Sequence, residues 1–320
     1  MNARKRLLSV VGLALAAGLY LLVRAAARPQ SLDASGPYLG QAPPGTRAER
    51  FAPGILPRDL HSTPAFSPDG QWVYWKAMDG PGSNRLAYSH QRDGRWTAPR
   101  AVSLGLFTFG ADDPELSSDG GTLYFTSWRP RWRRPLAHRE RIWQVSHPTR
   151  PWSRPRPLSD AVNAMDLHWQ FSMAENGALY FAANGDLYRA PLVDGKHGTP
   201  QRLGPAVNSA GREGTPFVAP DESYLLFSSN GQAESLGTED LYVSFVQVDG
   251  AGSPTGAWSN GSWSAAVNLG PAVNSAATEL CPRVSPDGRT LFFLSSRSGT
   301  YDAYWIDAQI IRQLAPADQS

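Results

Sequence analysis

Beyond residue 46, apolar side chains in this chain cluster in short bursts separated by turn formers. Five bursts are alike: Trp72–Trp75, Leu123–Thr126, Leu179–Ala182, Tyr224–Phe227 and Leu291–Leu294. Each mixes aromatic and aliphatic residues in the manner of a β-strand. Each follows a turn signal: Ser67-Pro68-Asp69-Gly70, Ser117-Ser118-Asp119-Gly120, Ala174-Glu175-Asn176-Gly177, Ala219-Pro220-Asp221-Glu222 and Ser285-Pro286-Asp287-Gly288. Proline presets φ at the first turn position, and Asp-Gly or Asn-Gly supplies the left-handed one, so the signals predict hairpins. The residues just before each turn form a further strand.

A third strand recurs at Arg85–Tyr88, Arg141–Gln144, Asp186–Tyr188, Asp240–Tyr242 and Asp302–Trp305. The fourth recurs from Trp96 to Gly105, Trp152 to Leu158, Thr199 to Gly204 and Trp263 to Gly270. Unit five lacks this last strand, but Glu49–Ile55 stands immediately before unit one. An N-terminal strand that completes the last sheet closes a ring and removes the open edge of a linear array. The chain is therefore expected to be an all-β, five-bladed β-propeller, with six blades the alternative if a degenerate unit lies in the insertion at 243–262.

The Ser-Pro-Asp-Gly and Asp-Leu-Tyr elements resemble the WD-like repeats of the TolB-like family of exported bacterial propellers, over residues 47–313. Ser118 in unit two and Glu175-Asn176 in unit three depart from the usual turn. The resemblance implies blade architecture and leaves activity open, because family members range from protein-binding periplasmic propellers to domains attached to peptidases and sugar-cleaving enzymes.

The N-terminus changes the reading of charge. Met1–Arg6 is basic, Leu7–Val23 carries no charge, and Ala25-Ala26-Ala27 offers small side chains to a signal peptidase. Residues 1–28 are expected to be a signal peptide or a signal anchor, which places the rest in the periplasm or tethered to the inner membrane facing it. Residues 29–46, rich in Pro and Gly, read as a linker, and 47–320 as one propeller domain. The whole chain of 320 residues has a formal charge of +2, but its leader holds five basic residues and no acid, leaving 25 basic against 28 acidic side chains. The folded part is thus mildly acidic, and for an exported chain nucleic acid is not an expected partner. A single cysteine, Cys281, excludes a disulfide framework and a thiolate zinc cluster.

Counting back from each turn matches one position at the start of every inner strand: His61, Ala111, His168, Glu213 and Glu279, with Asp112 and Asp113 beside Ala111. In a propeller these positions meet at one mouth of the central channel. His61, His168, Glu213 and Glu279 are a candidate divalent-metal set, for a transition metal through the imidazoles or calcium through the carboxylates. The same groups, with Asp112, suit a small ligand or supply an acid and a base for a hydrolase or lyase acting on a carbohydrate or ester. Alternatively, Glu213 and Glu279 hold neighbouring backbone donors or Arg212 and Arg283, and the histidines line a wet channel.

Val162-Asn163, Val207-Asn208 and Val273-Asn274 recur ahead of inner strands and read as turn formers, as Asp186, Asp240 and Asp302 read as local acceptors. The most unusual segment holds six arginines in thirteen residues, including Arg129, Arg131, Arg133 and Arg134 around Trp132. It lies between the second and third strands of unit two, hence on the same mouth, and suits phosphate, sulfate or carboxylate groups. No nucleophile elbow, zinc helix, phosphate loop or dinucleotide fingerprint occurs. The expected function is a monomeric binding or scaffolding module for a protein or anionic glycan, with the hydrolase or lyase as the alternative.

Overall fold

The computed structural model describes residues 31–78, 84–104, 110–127, 140–146, 152–247 and 263–316. The leader lies outside that set, and among the described residues no helix is long and apolar enough to cross a membrane.

Five antiparallel sheets follow one another around the chain. From the inside outward, blade one holds Ala65–Phe66, Trp72–Met78, Asn84–Arg92 and Arg100–Ala101. Blade two holds Ala111–Leu116, Thr122–Ser127, Arg141–Ser146 and Arg156–Pro157. Blade three holds Leu167–Met173, Leu179–Ala183, Asp186–Ala190 and Gln201–Arg202. Blade four holds Glu213–Val218, Tyr224–Ser229, Asp240–Phe245 and Val267–Asn268. Blade five holds Glu279–Val284, Thr290–Ser295, Asp302–Asp307 and, from the other end of the chain, Glu49–Arg50. Glu49 pairs with Trp305 and Arg50 with Tyr304, so the ring closes as the repeats predict.

The turns between first and second strands behave as their chemistry requires. Gly70, Gly120, Gly177 and Gly288 all adopt positive φ, and each donates its N–H back to the residue three before it at 2.8–2.9 Å. Buried Asn163, Asn208 and Asn274 act as clamps. Asn208, for example, accepts from Leu187 N–H at 2.7 Å and donates to the carbonyls of Leu187 and Leu203, fastening the third strand to the fourth. Asp186 is paired with Arg202, and Asp302 with Arg50 and Arg58.

Apolar side chains from facing blades fill the gaps between sheets. Phe51, Phe66, Phe292 and Trp305 pack at centroid distances of 4.8–6.1 Å where the closing strand meets blades one and five. Such ring pairs add roughly 0.5–1.5 kcal/mol each beyond their buried area.

The stretch expected as a linker contains more structure than its composition suggests. Ser31–Ser35 pairs with Arg95–Thr97, and a short 3-10 turn at Tyr38–Gly40 buries Leu39. Trp96 donates its indole N–H to the Gly36 carbonyl at 2.8 Å. Five residues are too few to show a period, and the anchor is a partner some 60 positions away.

Candidate site at the channel mouth

Four of the five inner strands carry an Xaa-Pro step at the same place: Thr63-Pro64, Asp113-Pro114, Thr215-Pro216 and Cys281-Pro282. In blades two, four and five this step is a β-bulge. Two residues face one on the second strand, and Asp113, Thr215 and Cys281 take positive φ. Proline has no N–H to offer a ladder, so it settles where the bulge has already broken the pairing.

Blade three differs. Its bulge holds three residues, Trp169, Gln170 and Phe171, between the pairs His168 to Ala182 and Ser172 to Tyr180. The extra residue moves the count by one. Leu167, paired with Ala183, is the match of Ala111, Glu213 and Glu279, while His168 matches Asp112, Gly214 and Leu280. Counting back from the turn therefore misplaces blade three by one residue, which changes the face of the strand. The His168 side chain lies outside the described residues.

Glu213 and Glu279 hold equivalent places and do equivalent work. Glu279 is fully buried and accepts from the hydroxyls of Ser275 and Ser295 at 2.7 and 2.6 Å, from Ser275 N–H at 2.9 Å, and from Arg297 at 3.2 Å. Glu213 accepts from the hydroxyls of Ser209 and Ser229 at 2.5 and 2.9 Å through one oxygen. Each glutamate thus ties the loop entering its blade to the end of the second strand. The arginine expected to serve this purpose in blade five, Arg283, points elsewhere.

Arg283 is buried and pairs with Glu115 of blade two, donating also to the Pro114 carbonyl at 3.1 Å. Around it, the Thr63 hydroxyl donates to Gln170 at 3.1 Å, Gln170 donates to the Pro282 carbonyl at 2.8 Å, and Cys281 N–H donates to Thr215 Oγ1 at 3.0 Å. These contacts link side chains or backbone of all five blades below the mouth. Cys281 belongs to this layer. It is fully buried, its thiol donates to the His61 carbonyl at 3.4 Å, and burial pushes its pKa well above the usual thiol value.

Above this layer the mouth carries charge. Lys76, only 1% exposed, reaches from blade one to Asp112 of blade two at 2.6 Å, and half-exposed His61 approaches the same oxygen with Nδ1 at 3.4 Å. His61 and Asp112 are thus brought together, although the residue aligned with His61 is Ala111. Asp113 accepts from the Thr126 hydroxyl at 2.8 Å, and its other oxygen is buried without a partner. Burial, followed by the charges of Asp112 and Glu140, raises Asp113 well above the usual carboxylate range. Burial also pushes Glu140 up to about 7, while its carboxylate accepts Trp169 N–H at 3.2 Å.

Between blades three and four the mouth opens into a cavity of about 180 Å³, lined in part by Trp169, Arg212, Glu213, Asn230 and Glu239. Trp169 is 45% exposed, whereas the matched bulge residues Asp113, Thr215 and Cys281 are buried. Lys76, Glu140, Trp169, Arg212 and Glu239 were not singled out as site residues from sequence. The readable signal was the Xaa-Pro step present in four units and replaced by Trp169-Gln170-Phe171 in the third. Arg129, Arg131, Arg133 and Arg134 lie outside the described residues, but their segment leaves after Ser127 and returns at Glu140, beside the Ala111 to Ser127 pair. Among the described residues no three His, Cys, Asp or Glu side chains are arranged to hold a metal ion.

No family model and no curated protein matches the chain. Solved structures similar to it include TolB from Acinetobacter baumannii, at 15% identity over 79% of this chain and 59% of that one, with a TM-score of 0.49. They also include an α-L-arabinofuranosidase from Lactobacillus brevis, at 13% identity over 79% and 92% with a TM-score of 0.50. A nidogen/laminin complex is similar at 14% identity over 80% of each chain, with a TM-score of 0.49. At these identities the likeness is one of fold, and the fold is the propeller that the repeats predict.

Proposed function

We propose that this protein is an exported propeller that binds a protein partner on the mouth face. The observation that carries this reading is the division of the channel axis into two levels. The lower level is crossed by the buried Arg283–Glu115 pair and the Thr63, Gln170 and Pro282 bonds. The upper level offers an exposed indole, a half-exposed imidazole and exposed Arg212 around buried anchored acids, a polar rim with an aromatic anchor. Export rests on the basic and apolar leader at 1–28, which supports a periplasmic location, free or tethered to the inner membrane.

Photo-crosslinking tests the reading. A crosslinking side chain at Trp169 or Arg212 is expected to capture one and the same protein in the native envelope, and a crosslinker at Val193, at an outer hairpin, to leave it behind. Capture of that protein equally from Val193 would show that docking is elsewhere.

One observation favours a second reading, hydrolysis or elimination at a carbohydrate or ester. Glu140, pushed up to about 7, and Asp113, also raised by burial, are two acids in different environments near the Lys76–Asp112 ion pair. Turnover of a glycoside or ester panel that is lost in Glu140→Gln would make this the working function, with the metal-assisted form tested by chelator.

A further inference from the structure

Blade five contains a natural control for the cavity beside blade four. Both oxygens of Glu279 are engaged, one by Ser275 N–H and the other by two serine hydroxyls and the Arg297 guanidinium. Glu213 has the same two serine hydroxyls on one oxygen, while its other oxygen is buried with no hydrogen-bond partner. The place matching Arg297 is Gly231, where a Cβ would come within 2.4 Å of the Gly211 Cα, so no side chain can stand there. A buried carboxylate oxygen without a donor is costly, and a persistent one calls for an occupant.

Glu213 lines the cavity together with Glu239. Glu239 accepts from the Ser228 hydroxyl at 2.7 Å, and its pKa is raised by burial and, to a smaller degree, by the Glu213 charge. Trp169 supplies an exposed indole on the blade-three side. Among the described lining residues, two carboxylates face one cation, Arg212, which is exposed to solvent at the rim, so these groups leave room for one more positive charge. At about 180 Å³ it is smaller than the roughly 300–1,000 Å³ of sites built for whole small molecules. It suits a head group on a longer stem. Carboxylates on one side and an indole on the other are the surroundings in which guanidinium and ammonium groups bind, through charge-assisted hydrogen bonds and cation–π attraction.

We infer that the cavity lined by Glu213, Glu239 and Trp169 receives a cationic side-chain head group, guanidinium or ammonium, from the partner that docks on the mouth face. The inference rests on the binding-module reading for the identity of the partner, and on the cavity alone for the chemistry.

The test uses the full chain and three probes of similar size: N-butylguanidinium, n-butylammonium and neutral N-butylurea, titrated by calorimetry or ligand-observed NMR. At least one cationic probe should bind at least about tenfold more tightly than the urea, and the better of the two names the head group. Glu213→Gln should weaken that probe by roughly tenfold, Trp169→Ala by about threefold, and Arg212→Gln, which removes the competing cation, should tighten it. Should Glu213→Gln fail to fold, Arg212→Gln and Glu239→Gln carry the test, being at a solvent-exposed and a partly exposed position. Equal affinity for urea, cation binding indifferent to the variants, or weakening by Arg212→Gln would each overturn the inference. Failure of these probes while crosslinking still captures a partner at Trp169 removes the cationic cavity and leaves the docking reading intact. Probe binding without any captured partner does the reverse.

Discussion

Blades four and five share an entry glutamate, two serines at matched positions and the same bulge, yet one is closed and the other is open. In blade five Arg297 bridges Glu279 and the Val273 carbonyl and lies over Phe293 and Tyr304, and every polar atom of the glutamate is used. In blade four Gln232 takes the matched Val207 carbonyl at 2.7 Å and reaches no further, leaving one oxygen of Glu213 unserved. The shared part is architecture, because it recurs. The unshared part is where a ligand can add something, because the protein has not completed its own hydrogen bonding there. A repeat protein thus carries internal controls, and a candidate residue is best judged against its counterpart in the next blade.

The largest expected effect concerns the lower level beneath both blades. Arg283→Ala leaves Glu115 buried and unpaired, and should cost about 3–5 kcal/mol in denaturant unfolding. Replacing both partners by Arg283→Met and Glu115→Leu should recover most of that loss. If the single and double variants are equally unstable, the loss does not come from leaving Glu115 buried and unpaired.

A smaller effect separates the two glutamates. Glu279→Gln disturbs an acceptor with four donors, one of them charged, and should cost roughly 2 kcal/mol. Glu213→Gln changes an acceptor with two neutral donors and one vacant oxygen, and should cost less than about 1 kcal/mol. Equal losses in chemical denaturation would contradict the open-and-closed contrast.

The smallest expected effect is on pH dependence at the mouth. Glu140 holds its proton to about 7 in the fold but releases it near 4.5 when unfolded. Between these values the folded state binds more protons, so stability falls as pH rises from about 4.5 to 7. Asp113 acts in the same direction. The melting temperature should be higher at pH 5 than at pH 8, and Glu140→Gln should flatten the slope. A profile unchanged by that variant would place Glu140 in ordinary solvent.

Local chemistry made the fold legible. Pro-Asp-Gly and Asn-Gly turns form hairpins wherever they stand between apolar bursts, and the missing fourth strand of unit five matched a spare strand at Glu49 and Arg50. That inner-strand entries gather at one mouth was also readable, but the contact of His61 with Asp112, which lies one position past the residue aligned with His61, is a matter of tertiary placement. Less was legible where partners come from elsewhere in the chain. Nothing near Lys76 indicates that it is buried against an acid of the next blade, and nothing near Ser31–Ser35 names Arg95–Thr97 as its neighbour.

The sequence by itself determined the ring: its repeated unit, its closure and the face on which loops gather, because turn preference and strand patterning act over a few residues. Tertiary structure decided the site. Whether a carboxylate is saturated, as in Glu279, or left with an open oxygen, as in Glu213, depends on donors brought in by other turns and on one inserted residue in blade three that turns Trp169 outward. Hydrogen bonding and burial are settled by what stands within about 3 Å in space, and that distance is not written in the order of residues.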